Sequence, residues 1–368
     1  MKLRFNRNEM AEVLSVVSSV AAVRTPKEIL KGVHIEAQSD VVLLSATDLE
    51  LGLRCAVTQV EVEEPGTTVV VAETLSRITR ECSDEVLAVE SAGNLLHVRG
   101  LGSHFQIVTH DVADFPPVPT IDGDADFAIE HGRLRRLVEL TVFSAAKEST
   151  RYAINGVLWE LGENQLTLAA TDGRRLSVAR GDLLEGKKTD GARAILPAKT
   201  LGLLGRIPIS DDSRVAVQIA GNRVLFDVGR VVMSSALVEG QFPKYQDVVP
   251  DDCDRVVELD TAEFHSALKR AALLTNEESA GVRFAFSEGN LTLSSRAPEQ
   301  GEAEISIPVE YSGETLEIGF NPVFLLELLR VVHTDRITLA LKDASRPGVI
   351  RTDDDFVYVV MPVNLSSG

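Results

Sequence analysis

Carboxylates are the residues in this chain best placed for chemistry. Asp172 sits in a Thr-Asp-Gly run, Asp353 to Asp355 stand in a row, and Asp122, Asp124 and Asp126 alternate. A carboxylate-based hydrolase would use the first two groups, and a calcium loop the third. The calcium reading fails on spacing, because Phe127 stands where the sharp turn needs glycine and Arg133 where the bidentate glutamate belongs. Thr-Asp-Gly reads equally as a turn closing a hairpin, and the Asp353 to Asp355 run as a hairpin tip. No Gly-x-x-x-x-Gly-Lys-Ser/Thr, Gly-x-Ser-x-Gly or His-Glu-x-x-His motif occurs, and the seven histidines are scattered. Cys55, Cys82 and Cys253 have no close spacing, which supports neither a disulfide framework nor a thiolate metal site. Neither catalysis, nor a metal, nor a cofactor is expected.

The elements that carry these residues come in three similar sets. Aligning Phe5, Ile129 and Leu259 brings Met10, Leu134 and Phe264 into register, then Leu14, Val138 and Leu268. The spacing of four predicts a strand running into an amphipathic helix each time. Strands opening on a Gly-Val pair follow at Gly32, Gly156 and Gly281. A strand then leads into a second short helix three times, from Thr68, Arg193 and Leu316, and Asn321-Pro322 is a strong helix start. Ala-Gly-Asn turns at Gly93-Asn94 and Gly221-Asn222 join closing strands. Three domains are predicted, at 1–120, 124–252 and 253–368, with PPVPTIDGDAD as a linker between the first two.

A domain of about 120 residues behaves as a ball roughly 35 Å across. Three such balls in a ring leave almost no hole, whereas six leave one of roughly 35 Å, wide enough for a duplex roughly 20 Å across. A channel therefore requires a second copy of the chain, joined head to tail.

Lys and Arg number 37 against 55 Asp and Glu, a net charge of −18, which taken whole argues against a phosphate partner. The distribution is uneven. The predicted helices carry Arg77, Arg80, Arg133, Arg135, Arg136, Lys199, Arg206, Lys269, Arg270 and Arg330 against Glu9, Glu12, Glu73, Glu81, Glu139, Glu263 and Glu327. The helical side is thus weakly attractive to phosphates while the sheets repel them. The N-terminal segment carries charges where a secretory signal would be apolar, and no run of about 18 apolar residues occurs. A cytoplasmic protein without membrane contact is expected.

Seven stretches, ATDLE from Ala46, RYAINGVLWE from Arg151, ATDGRRL from Ala170, GQFPKYQDVVP from Gly240, NEESAGVRF from Asn276, EIGFNPVFLLELL from Glu317 and YVVMPVNL from Tyr358, closely resemble the bacterial DNA polymerase III beta subunit family of sliding clamps. The match covers all three repeats. It implies an α+β fold of three clamp domains, each of two helices and antiparallel sheets, forming half of a six-domain ring. The implied protein is a homodimer that encircles duplex DNA without sequence specificity. It tethers the replicative polymerase alpha subunit, the clamp loader and other proteins bearing a clamp-binding motif. No catalysis is implied.

The resemblance also assigns sites. The pocket for a partner peptide would use Ile154, Thr171, Gly173, Arg174, Arg175, Leu176, Pro243, Val248, Asn321, Phe324, Val359, Val360, Met361, Pro362 and Val363. Branched and flexible apolar groups suit a concave floor for varied guests. Arg174 replaces a common histidine, Asp247 stands where a basic residue is frequent, and Asn364 replaces a usual arginine, so the rim differs. DNA contacts would come from Arg24, Arg80, Arg151, Tyr152, Lys199 and Arg206, on phosphate and sugar alone. Ala153 stands where tyrosine is common. The dimer interface would set Phe105 and Ile107 against Leu273 and Leu274, with Glu299, Glu302 and Glu304 as its acidic side. Leu95, Gly102 and His104 stand where arginines are common and leave Arg99, so the basic side is thin. Read without the family, the four apolar residues are ordinary core, and an acidic scaffold that binds peptides but not DNA is a further alternative.

Overall fold

The computed structural model describes residues 1–148, 152–186, 191–275, 281–297 and 300–364. Six α-helices lie among them: α1 (Arg7–Ser18), α2 (Ala72–Glu81), α3 (His131–Thr141), α4 (Ala198–Leu204), α5 (Thr261–Ala271) and α6 (Pro322–Val331). Three start on side-chain caps that satisfy amides with no partner in the helix. Asn6 Oδ1 accepts from the Asn8 and Glu9 amides at 3.0 and 3.2 Å, Asp260 from Glu263 at 2.8 Å, and Asn321 from Val323 at 3.0 Å, with Pro322 in the first turn of α6. The predicted apolar stripes are buried: Met10 and Leu14, Leu134 and Val138, Phe264 and Leu268.

The backbone divides into two compact units that cut across the sequence repeats. The first comprises 1–132, 184–187 and 206–237. In it α1 and α2 pack together against a sheet of fourteen antiparallel strands. That sheet has a seam between repeats, where strand Val231–Ala236 pairs with Leu51–Val57, Met233 opposite Leu53. Linker aspartates serve as ties here, one by its carboxylate and two by their backbone carbonyls. Asp126 Oδ2 accepts the Ile219 amide at 2.7 Å, and the Asp122 and Asp124 carbonyls accept from Gln218 Nε2.

The second unit comprises 133–183, 188–205 and 238–368. An eight-stranded sheet repeats the seam: strand Arg175–Asp182 pairs with Phe356–Val360, Leu176 opposite Val359 and Val178 opposite Val357. A four-stranded sheet carries α5 and α6 and ends on the strand Gly301–Pro308. The Ala-Gly-Asn turns have Gly93 and Gly221 at φ +59° and +60°, a region that costs glycine nothing. Asp353 to Asp355 form the predicted hairpin tip. Asp354 there pairs with Arg136 at 3.0 Å and Asp355 with Arg180 at 3.2 Å, which occupies both carboxylates in structure.

Candidate peptide site and nucleic-acid face

The second unit holds a cavity of about 240 Å³ against its eight-stranded sheet. Its floor is made by the hairpin of strands Gln165–Thr171 and Arg175–Asp182, whose turn is locked by side chains. Asp172 Oδ1 accepts the Arg174 and Arg175 amides at 2.9 and 3.1 Å. Thr171 Oγ1 donates to the Arg175 carbonyl at 2.6 Å and accepts the Gly173 amide at 3.0 Å. Gly173 sits at φ +86°, which a side chain would strain. Leu176 and Val359 project from paired strands, Met361 follows the second of these, and Pro243, Tyr245 and Val248 close the hollow from the short turn Tyr245–Val248 and the segment before it.

Arg175 holds the floor rigid. It is only 7% exposed. Its Nε donates to Asp172 Oδ2 at 3.0 Å, one terminal nitrogen to Glu327 and the other to the Phe143 carbonyl at 2.8 Å. The guanidinium also stands 5.4 and 4.7 Å from the ring centroids of Phe143 and Phe324, within cation–π range. Burial opposes its charge, yet the bond to Glu327 and the fields of Tyr358, Glu327 and Asp172 prevail and raise its pKa. Two phenols flank the site with pKa values raised, first by burial. Tyr245 is raised further by its bond to Glu160, and Tyr358 donates to the Phe324 carbonyl at 3.0 Å. They act as neutral donors, so the site is an apolar hollow with fixed polar edges.

Of the residues expected in this pocket, Ile154, Thr171, Gly173, Arg174, Arg175, Leu176, Pro243, Val248, Val359 and Met361 line the cavity. Asn321, Phe324, Val360, Pro362 and Val363 do not. Asn321 caps α6, Phe324 lies beside the Arg175 guanidinium, and the Val363 amide donates to the Gly319 carbonyl at 2.8 Å. Val360 is fully buried, one residue out of phase with Val359 and Met361 and hence on the other side of the strand. Lys244 and Tyr245 line the cavity without having been picked out, although they fall inside the GQFPKYQDVVP stretch. Tyr152, expected on DNA, lines it too and is half exposed.

Models of three domains match the chain in order: the DNA polymerase III beta subunit N-terminal domain over residues 1–119, its central domain over 128–244 and its C-terminal domain over 246–364. The chain belongs to the DNA polymerase III beta subunit family. The beta sliding clamps of Pseudomonas aeruginosa and Escherichia coli are each 33% identical to it over 368 residues, covering 99% of this chain and 100% of theirs. A solved sliding clamp of Pseudomonas aeruginosa bound to griselimycin superposes with a TM-score of 0.94 at 32% identity, over 99% of this chain and 100% of that one. The Bacillus subtilis clamp also gives 0.94, at 27% identity and 99% of both chains. The α+β fold of three clamp domains is therefore that of the beta subunit family.

The cations assigned to DNA lie on exposed positions. Arg24 follows α1, Arg80 is in the last turn of α2, Lys199 is on α4, and Arg206 falls just beyond α4. Arg151 lies outside the described residues. Arg7 joins α1, so the helices still carry ten basic against seven acidic side chains. Some of that charge is engaged locally, as in Arg133 with Asp182 at 3.4 Å and Arg136 with Asp354.

The interface residues divide. Phe105 is 37% and Leu273 72% exposed, Leu274 is partly buried, and Glu302 and Glu304 are exposed. Ile107 is a core residue at 7% exposure, opposite the buried Leu96, although Phe105 shares its face of the strand and Val108 lies on the other. Glu299 lies outside the described residues. Glu302 pairs with Arg296 at 3.0 Å. Arg99 bonds Glu90 at 2.6 Å and draws that carboxyl below its usual range, while His104 lies 3.0 Å from His97, ring nitrogen to ring nitrogen. Among the described residues no group of three or more His, Cys, Asp or Glu is placed to hold a metal ion, and no helix is long and apolar enough to cross a membrane.

Proposed function

We propose that this chain works as a cytoplasmic, non-catalytic sliding clamp: a head-to-tail homodimer of six domains that encircles duplex DNA and holds the replicative polymerase on it. The observation that carries this is the ordered, nearly unbroken match of all three beta subunit domains to one chain. Domains at 1–120, 124–252 and 253–368 would place the six helices of each copy toward the bore. Arg24, Arg80, Arg151, Lys199 and Arg206 then meet phosphates from the helical side of an otherwise acidic protein, and Tyr152 joins them there or closes the peptide cavity.

Sparse lining charge fits sliding. Each neutralised phosphate adds salt-sensitive affinity, so a dense lining would hold the ring in place, whereas closure retains the protein without tight binding. A partner seated in the cavity stays at high effective concentration near its template. The partners proposed are the polymerase alpha subunit, the clamp loader and other proteins carrying an apolar motif with a glutamine. Dimer closure has a route in the strands: among the described residues Gly301–Pro308 is an open edge, and residues 104–108 are paired on one side only. Such edges pair readily with another chain.

The test is topological. Loaded protein is expected to stay on closed circular DNA through gel filtration and to be lost once the circle is cut; equal retention on both forms would refute the clamp. For the cavity, Met361→Ala is expected to weaken a synthetic peptide bearing glutamine and two apolar residues about five- to tenfold in an anisotropy titration, with the dimer unchanged in sedimentation. Unaltered affinity would remove the cavity from the reading.

A further inference from the structure

A second hollow, of about 410 Å³, adjoins the peptide cavity on the same sheet face. Tyr245 lines both, and the sheet register makes them continuous. Directly paired residues of antiparallel strands share a face, and every second residue returns to it. Leu176 opposite Val359 forms the cavity floor, and two residues on, Val178 lies opposite Val357, which in turn lies opposite Arg351. Arg180 and Asp355 close the far end. From floor to Arg351 is on the order of 10 Å, the reach of about three extended residues.

The charges in this groove do not balance. Arg180 is paired with Asp355 at 3.2 Å. Arg351 is exposed and makes no ion pair among the described residues, and Asp247, on the intervening turn, lines neither hollow. On the cavity side Arg174 and Lys244 are likewise exposed cations. In a chain of net charge −18 this is a local reversal of sign.

We propose that the groove receives an acidic side chain of the same partner segment whose apolar residues fill the cavity, with Arg351 as its counter-charge. The inference rests on the peptide-site reading above and specifies the chemistry of the guest. The protein's overall field opposes it, since at long range an acidic peptide is repelled, so a gain from acid must come from the local cations.

Two peptides with one apolar anchor decide the matter, the first with two glutamates beginning three residues from the anchor, the second with two glutamines there. At 50 mM salt the glutamate peptide is expected to bind about three- to fivefold tighter, the gain shrinking at 500 mM. Arg351→Gln is expected to abolish or invert it. Equal affinity of the two peptides, or a gain that survives Arg351→Gln, overturns the groove assignment while leaving the cavity intact. If the glutamine peptide fails to bind, or binds without sensitivity to Met361→Ala, the cavity reading falls and this one with it.

Discussion

Arg175→Met is expected to lower the free energy of unfolding by about 3 kcal/mol, read as a lower urea midpoint at unchanged slope. The guanidinium is buried and bonds Asp172, Glu327 and the Phe143 carbonyl at once. Removing one member of a buried ion pair typically costs 3–5 kcal/mol, because the partners are left desolvated without their counter-charge. The low end applies because Glu327 and Asp172 keep 32% and 20% of their side chains in solvent and can partly rehydrate. Arg175→Lys should recover only part of the loss, since the three donors of an ammonium diverge from one nitrogen and cannot span partners placed around a planar fork, and the stacking of a guanidinium on aromatic rings is lost. A change below about 1 kcal/mol for the methionine variant would mean that the network adds little. Peptide affinity should fall with it, because the Asp172 turn that forms one wall is anchored through Arg175.

The second large effect concerns association. Leu273→Asp is expected to convert the proposed dimer to monomers in sedimentation at micromolar concentration. Leu273 is 72% exposed in the short turn Ala272–Leu274 that follows α5, where a partner can cover it. Burying a leucine contributes about 2 kcal/mol, and in a head-to-tail pair each residue is used twice, so its loss alone weakens dimerisation on the order of a thousandfold. The buried carboxylate adds to that. An intact dimer would refute this surface as the interface. The thin basic side, with Arg99 already bonded to Glu90, makes the apolar contact the more important part.

Much of the fold was legible because it rests on local rules. Asn321-Pro322 starts α6, Gly93 and Gly221 take the positive φ their turns require, and the apolar stripes at Met10, Leu134 and Phe264 are buried. The seams were not legible. That strand Val231–Ala236 would pair with Leu51–Val57, or Arg175–Asp182 with Phe356–Val360, depends on long-range pairing that no local periodicity encodes. Strand alternation accounts for one expected pocket residue that does not line the cavity. Resemblance indicated a contiguous run from Val359 to Val363, but a strand alternates, so Val360 points away while Met361 points in. Ile107 is buried although it shares a strand face with the exposed Phe105, a difference that alternation does not encode, and Tyr245 went unremarked because only the folded turn brings its ring between two hollows.

The seam at Phe356–Val360 also bears on how the chain is made. That strand sits between Arg175–Asp182 and Gly348–Thr352, in the interior of its sheet. During synthesis its partner at 175–182 leaves the ribosome roughly 175 residues earlier, which at about 5–20 residues per second is a wait of roughly 10–35 s. Over that interval the nascent middle segment carries a bare strand edge at Arg175–Asp182, and this is the point in the life of the molecule at which a chaperone has the most to protect.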